Sequence, residues 1–224
     1  MIQPLRFSLP EGDRGLRDFP PRMAPEDLLP GAGDWEVEIG FGKGRYLLRR
    51  AMAEPENRFL GIEVVSKYQK MLSRRSRRRG LDNLTVIRGE AVYLLSAILP
   101  RGFARAVHIY FPDPWPKSRH HKRRLFHPEQ VDLVLGLLRP GGSLFFATDF
   151  LDYGALVRKI LESHGGLEVH PHPDLWPDGA RTNYEAKYIE EGRPILRLTA
   201  TLRAMDSPGA ALHPAGVAGI VGPA

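Results

Sequence analysis

Between about residues 34 and 203, short apolar runs alternate with longer amphipathic stretches, and this alternation constrains the fold more than any other feature of the 224-residue chain. Short apolar runs read as strands, and stretches with apolar side chains at helical spacing read as helices. Strands joined through helices run parallel, because only a long crossover returns the chain to the same edge. Residues 35–39, 58–64, 84–87 and 105–111 read as strands, followed by 143–148 after the turn Arg139-Pro140-Gly141-Gly142 and by 167–170 and 195–203. Helices are expected over 43–53, from Ser66 to Gly80, and over 91–99, 128–138 and 151–164. The pattern predicts an α/β, Rossmann-like fold: a doubly wound, mostly parallel sheet with its ligand at the carboxyl ends of the strands.

Residues 1–33 are rich in Pro, Gly and Arg without a sustained period and read as an N-terminal arm. Residues 34–203 form the predicted domain, and 204–224, rich in Ala, Gly and Pro with almost no charge, read as a disordered tail. There is no cysteine. That excludes disulfides, cysteine zinc sites, iron–sulfur clusters and a thiolate nucleophile. No apolar run has the length of a membrane span, and the first residues lack a secretory apolar core, so a soluble cytoplasmic protein is expected. Lys plus Arg is 32 against 26 acids, a net charge of +6, and only seven of the cations are lysines. Arginine suits bidentate contact with phosphate and stacking on bases, so a nucleic-acid partner is suggested. Base-composition bias would also raise Arg together with Gly (23) and Pro (20), and composition alone does not identify the partner.

The chemistry-bearing segments follow the strands. Glu38-Ile39-Gly40-Phe41-Gly42-Lys43-Gly44 leaves the first strand and opens a helix. Gly40 and Gly42 permit a tight turn and close backbone approach to a ligand. The spacing is Gly-x-Gly-x-Gly rather than the dinucleotide fingerprint, and an acid two residues before Gly40 would repel a pyrophosphate. Glu38 instead suits a cofactor with a cationic amino-acid end. Glu63, ending the second strand, is placed to accept both hydroxyls of a ribose, and Glu90, just past the third, to face an adenine edge. Three acids at successive strands favour a cofactor site over three solvated carboxylates.

Phe111-Pro112-Asp113-Pro114-Trp115-Pro116-Lys117 leaves the fourth strand. Its prolines stiffen the backbone and hold Asp113 at the expected ligand edge. The loop runs on into Arg119, Lys122, Arg123 and Arg124, which beside a ligand edge reads as a phosphate grip. Arg74, Arg75, Arg77, Arg78 and Arg79 crowd one helix end; the helix dipole explains part of that cluster and RNA contact the remainder. His120, His121 and His127 do not make a metal site, since the first two stand among cations and no carboxylate lies at ligand spacing.

In order along the chain, Glu-Ile-Gly-Phe-Gly-Lys-Gly, Gly61-Ile62-Glu63, Gly89-Glu90-Ala91, the Phe-Pro-Asp-Pro-Trp-Pro-Lys loop, Thr148-Asp149-Phe150 and Thr182-Asn183-Tyr184-Glu185 together resemble the bacterial tRNA (guanine-N7-)-methyltransferase family. The resemblance spans about residues 34–203. Its Gly-rich loop and Leu138-Arg139-Pro140-Gly141-Gly142 are common to many class I methyltransferases; the Phe-Pro-Asp-Pro-Trp loop and the late Thr-x-Tyr-Glu element are far more specific. It implies the class I methyltransferase fold, S-adenosylmethionine as cofactor and tRNA as partner, with guanine 46 of the variable loop as target; the absence of a metal is expected from the histidine surroundings alone. The resemblance also implies cofactor contacts at Glu38, Glu63, Glu90 and Asp113; the Gly-rich turn adds Gly40 and Gly42, and the place of Asp113 at the ligand edge makes it the candidate catalytic carboxylate. tRNA contacts are implied at Lys117, Asp149, Thr182, Asn183, Tyr184 and Glu185. Glu90 stands where the family commonly has Asp.

Guanine N7 is a lone-pair acceptor and needs no deprotonation before it attacks a methyl sulfonium. Carboxylates such as Asp113, with Asp149 or Glu185, would stabilise the cationic purine that forms. Taken alone, the residues leave open a methyltransferase acting on protein or a small molecule, and a non-catalytic RNA-binding protein on the same fold. A nicotinamide dehydrogenase is disfavoured by Glu38 and the glycine spacing. Oligomeric state is not encoded in any of these features.

Overall fold

The computed structural model describes residues 22–115, 124–128, 130–171, 176 and 179–204. Among them seven strands form one sheet: β1 (Trp35–Ile39), β2 (Arg58–Glu63), β3 (Leu84–Arg88), β4 (Ala104–Tyr110), β5 (Leu138–Thr148), β6 (Leu167–Pro171) and β7 (Leu196–Leu202). Their order across the sheet is 3-2-1-4-5-7-6. β1 to β5 pair in parallel, and β7 runs antiparallel to both β5 and β6. Strand order reverses between β1 and β4, so the connections leaving them diverge and open a crevice at their carboxyl ends. The helices are α1 (Pro25–Leu28), α2 (Arg45–Ala53), α3 (Ser66–Arg78), α4 (Ala91–Tyr93), α5 (Val131–Leu135), α6 (Leu151–Ser163) and α7 (Asn183–Glu190).

Both faces of the sheet are covered, which is why β1 and β2 are buried along their whole length. On one face Val37, Leu60, Val107, Leu144 and Phe146 pack with Leu94, Val134 and Val157. On the other, Phe41, Leu47, Ala51, Phe59 and Leu72 join α2 and α3 to β2. Burying a side chain such as Leu47 or Leu72 contributes about 1.5–3 kcal/mol. Gly44 stands at φ +68, and a Cβ there would meet Leu72 at 2.7 Å. This glycine caps α2, so the helix starts at Arg45 rather than at Lys43 as the periodicity suggests.

The period of two along β1 turns Glu36 and Glu38 toward the same face. Both are buried, at 3% and 2% exposure, with different surroundings. Glu36 is neutralised: Arg50 lies 2.6 Å and Arg105 2.7 Å from Oε1, and the Tyr46 hydroxyl donates to Oε2 at 3.1 Å. Burial alone would raise its pKa, but hydrogen bonds from His108, Arg50 and Arg105 hold it well below the usual carboxylate range. Burial pushes the pKa of His108 down, so it stays neutral between the Tyr46 and Tyr110 hydroxyls.

Four further elements differ from the sequence reading. Residues 22–33 are not all arm: Leu28 and Leu29 are core residues, the Met23 amide donates to the Ile98 carbonyl at 3.0 Å, and Arg22 donates to the Leu95 and Leu99 carbonyls at 2.9 Å. The helix expected over 128–138 shrinks to α5, because Leu138 already pairs with Ala104. Residues 139–142 then bulge out opposite one residue of β4 before pairing resumes at Ser143. The helix expected over 91–99 is one α-turn followed by a π-helical turn, Leu94–Ile98, closed by the Leu99 amide on the Leu94 carbonyl at 2.9 Å. The fourth difference is α7, which the sequence reading missed. Its start was encoded: Thr182 and Glu185 stand at capping-box spacing, and the Thr182 hydroxyl accepts the Glu185 amide at 3.0 Å. The predicted tail, from 205 onward, lies outside the described residues.

Candidate active site

A cavity of about 660 Å³ opens where β1 to β5 end. Each strand delivers one element of its lining: Gly40 and Gly42 follow β1, Glu63 ends β2, Glu90 follows β3, Asp113 follows β4 and Asp149 follows β5. Tyr184 and Tyr188 close one side from α7. Seven of the predicted residues are thereby gathered around one space, although they are spread over some 145 positions of sequence.

The Glu63 carboxylate is organised by backbone. Oε2 accepts the Gly42 amide and Oε1 the Val65 amide, each at 2.9 Å, tying the Gly-rich turn to the start of α3. Each oxygen keeps a second acceptor position for a hydroxyl. Glu90 caps α4, with Oε1 accepting the Val92 amide at 3.1 Å and Oε2 the Tyr93 amide at 2.8 Å. Its structural role was not foreseen. Around Gly40 (φ +75) and Gly42 (φ +52) an added Cβ would meet nothing within 4 Å. Their backbone faces open space, and only glycine takes that left-handed conformation cheaply.

Glu38 is buried at the end of β1, immediately before the wall residues Ile39 and Gly40. Burial pushes its pKa well up, the Leu47 amide opposes this, and the nearby Glu63 charge adds to the rise. Its Oε2 has no hydrogen-bond partner among the described residues. A buried acceptor left without a donor costs roughly 1–3 kcal/mol. It fits a cofactor that brings a cationic amine, and the pair of hydroxyl-accepting positions on Glu63 fits a ribose. The residues present therefore fit S-adenosylmethionine: Glu38 for the amino group, Glu63 for the ribose, and the Gly40–Gly42 backbone for close approach.

The loop after β4 is strained. Phe111 (φ +52) and Trp115 (φ +40) both adopt left-handed conformations without being glycine, which costs on the order of 1–3 kcal/mol each. Between them Asp113 is exposed on the cavity wall. Asp149 meets Arg193 at 3.4 Å, and Arg193 lies over the ring of Tyr188 at 4.5 Å. Tyr188 also stands edge-on to Phe111, with centroids 5.4 Å apart. Tyr188 and Arg193 were not singled out in the sequence; the four-residue spacing of Tyr184 and Tyr188 on one helix face was the available signal.

Two groups of residues have surroundings that the sequence did not suggest. Glu185 does not face the cavity: it is fully buried, Oε1 pairs with Arg197 at 2.7 Å and Oε2 accepts the Arg181 amide at 2.8 Å. Thr182 is the cap of α7, and neither it nor Asn183 lines the cavity, which leaves Tyr184 as the residue of that stretch on its wall. Arg124 is not a phosphate grip. It is buried, donates to the Pro114 carbonyl at 2.7 Å and lies over Tyr153 at 4.8 Å, so it braces the Asp113 loop from behind. Lys117, Arg119, His120, His121, Lys122 and Arg123 lie outside the described residues. Among the described residues no group of His, Asp and Glu is arranged to hold a metal ion, and no helix is long and apolar enough to cross a membrane.

Solved structures share this architecture. The 16S rRNA methyltransferase KamB aligns with a TM-score of 0.61 at 16% identity, over 80% of this chain and 92% of KamB. A SAM-dependent O-methyltransferase from Thermotoga maritima aligns with a TM-score of 0.56 at 14% identity, over 81% and 63%. At these identities the likeness is one of fold, and with the sheet order 3-2-1-4-5-7-6 that fold is the class I methyltransferase fold. A family model described as "Putative methyltransferase" matches residues 34–198. A tRNA (guanine-N(7)-)-methyltransferase from Nitrosococcus oceani is 41% identical over 72% of this chain and 69% of that protein. One from Halorhodospira halophila is 35% identical over 88% and 85%. The chain belongs to the tRNA (guanine-N(7)-)-methyltransferase family.

Proposed function

We propose that the protein transfers the methyl group of S-adenosylmethionine to N7 of guanine 46 in the variable loop of tRNA. The observation that carries this reading is that one cavity joins the cofactor-type residues Gly40, Gly42, Glu63 and Glu90 to the carboxylates Asp113 and Asp149 and the aromatic wall Tyr184–Tyr188. When bound, S-adenosylmethionine supplies an electrophilic methyl on a cationic sulfur. Glu38 receives its amino end and Glu63 its ribose. Tyr184, 55% exposed on the cavity wall, offers a face on which an unstacked base rests. Asp113 and Asp149 set negative charge beside the ring that becomes cationic as N7 is alkylated. No general base is required, because N7 carries no proton. A paired guanine hides N7 in the deep groove of A-form RNA, so a loop nucleotide is the accessible target. A tRNA substrate supports a cytoplasmic location. Unmodified tRNA incubated with the protein and S-adenosylmethionine is expected to yield N7-methylguanosine by nucleoside mass spectrometry, in the nuclease fragment that contains position 46. Methylation of another atom or another fragment would overturn the assignment.

A further inference from the structure

The outer face of α3 carries charge that helix formation does not ask for. Leu72 and Ser76 face the core, and on the opposite side Lys67, Lys70, Arg74, Arg77 and Arg78 are all exposed. At 1.5 Å per residue this stripe extends roughly 16 Å. It begins at the rim of the active-site cavity, whose wall includes Val64, Val65 and Tyr68 from the start of α3. Arg75 and Arg79 are occupied with backbone carbonyls, of Lys43 at 3.1 Å and Arg75 at 3.3 Å. The side chains of the five stripe cations make no hydrogen bond or ion pair among the described residues.

The helix dipole favours cations in the last turn and accounts for Arg77 and Arg78. It disfavours Lys67 and Lys70, which stand in the first turns of a helix with no acidic residue there. Lys70–Arg74 and Arg74–Arg78 are like charges one turn apart, which weakens a helix. The stripe therefore opposes the folding of its own helix, and its charge matches a polyanion. We infer that α3 is a second tRNA-contacting surface, on which the phosphate backbone lies along Lys67, Lys70, Arg74, Arg77 and Arg78 while the target base occupies the cavity. This rests on the proposed tRNA substrate and adds to it a binding face on the β2–β3 side of the sheet, separate from the loop after β4.

The test is a Lys70→Ala/Arg74→Ala/Arg78→Ala variant of the full chain, with binding of unmodified tRNA measured across a salt series. Three lost phosphate contacts should lower the slope of log K against log salt by about two to three units. Affinity near physiological salt should fall tenfold or more, and kcat/KM with it. kcat at saturating tRNA and the affinity for S-adenosylmethionine should stay near parental values. Thermal stability should hold or rise, because like charges have been removed; this separates lost contacts from lost folding. A parent that binds and methylates tRNA beside a variant with the parental slope overturns the inference alone. A parent that neither binds nor methylates tRNA overturns the proposed substrate, and the inference with it.

Discussion

Asp113 and Glu38 show how differently two carboxylates of one site are set. Asp113 is exposed, held by a strained turn at the cavity wall. Asp113→Asn keeps the shape and removes the charge, so kcat in single-turnover methylation should fall by about a hundredfold or more while tRNA affinity changes little. The lost rate should not return at high pH, since there is no proton to abstract from N7; recovery there would reveal acid–base chemistry. Glu38 is buried and its pKa is pushed up by that burial. A cationic amine beside it favours the carboxylate, so binding S-adenosylmethionine should release a proton, and cofactor affinity should rise with pH through the range where free Glu38 ionises. Calorimetry in two buffers of different ionisation enthalpy measures that proton. Its persistence in Glu38→Gln would place the proton elsewhere.

At the scale of elements, what holds the substrate side is α7 and its anchor. Thr182 caps the helix, Glu185 joins it to β7 through Arg197, and the Arg181 guanidinium donates to the Tyr110 hydroxyl at 2.7 Å while lying over Trp176 at 4.3 Å. The Glu185–Arg197 pair is buried on both sides, so Glu185→Ala strands a cation and should cost about 3–5 kcal/mol of stability. Urea unfolding measures it; an unchanged midpoint with lost activity would return Glu185 to direct substrate contact. The same distinction applies to the basic run after β4. Arg124, buried behind the Asp113 loop, should when replaced by Ala lower the melting temperature and leave the salt dependence of tRNA binding unaltered. A flattened salt slope in Arg124→Ala would show that it reaches phosphate after all.

Across the whole molecule, the buried Glu36 cluster links β1, α2 and β4 and sets the response to acid. Glu36 has a depressed pKa, so its contribution is present above its unfolded value near 4.5 and is lost as pH falls below it. His108 is also depressed, and its contribution fades as pH falls below about 6.5. Both make the fold weaken on acidification, His108 first. Glu36→Gln should cost about 3 kcal/mol at neutral pH, near the low end for a buried pair because Arg50 and Arg105 are each about a quarter exposed to water. The cost should shrink toward pH 4. Thermal melts of parent and variant from pH 7 to 4 test this, and parallel curves would place the acid response in other carboxylates.

The strand and helix pattern, the Gly-rich turn and the acids at the strand ends are local signals, each set by a few neighbouring residues. The parallel core and the cavity residues Gly40, Gly42, Glu63, Glu90, Asp113, Asp149 and Tyr184 were legible for that reason. Whether a side chain faces the cavity or the core depends on partners far along the chain, and local pattern does not carry that. Glu185 reads as a substrate contact until β7 brings Arg197 against it, and Arg124 reads as surface charge until α6 sets Tyr153 beneath it. Glu38 reads as one more strand-end acid until burial strips it of solvent. Periodicity and turn chemistry determined the seven strands and the long helices α2, α3 and α6 between them. Burial and pairing over long sequence separations decided which charges are available for chemistry, because desolvation and partner distance, not residue type, set what a charged group can do.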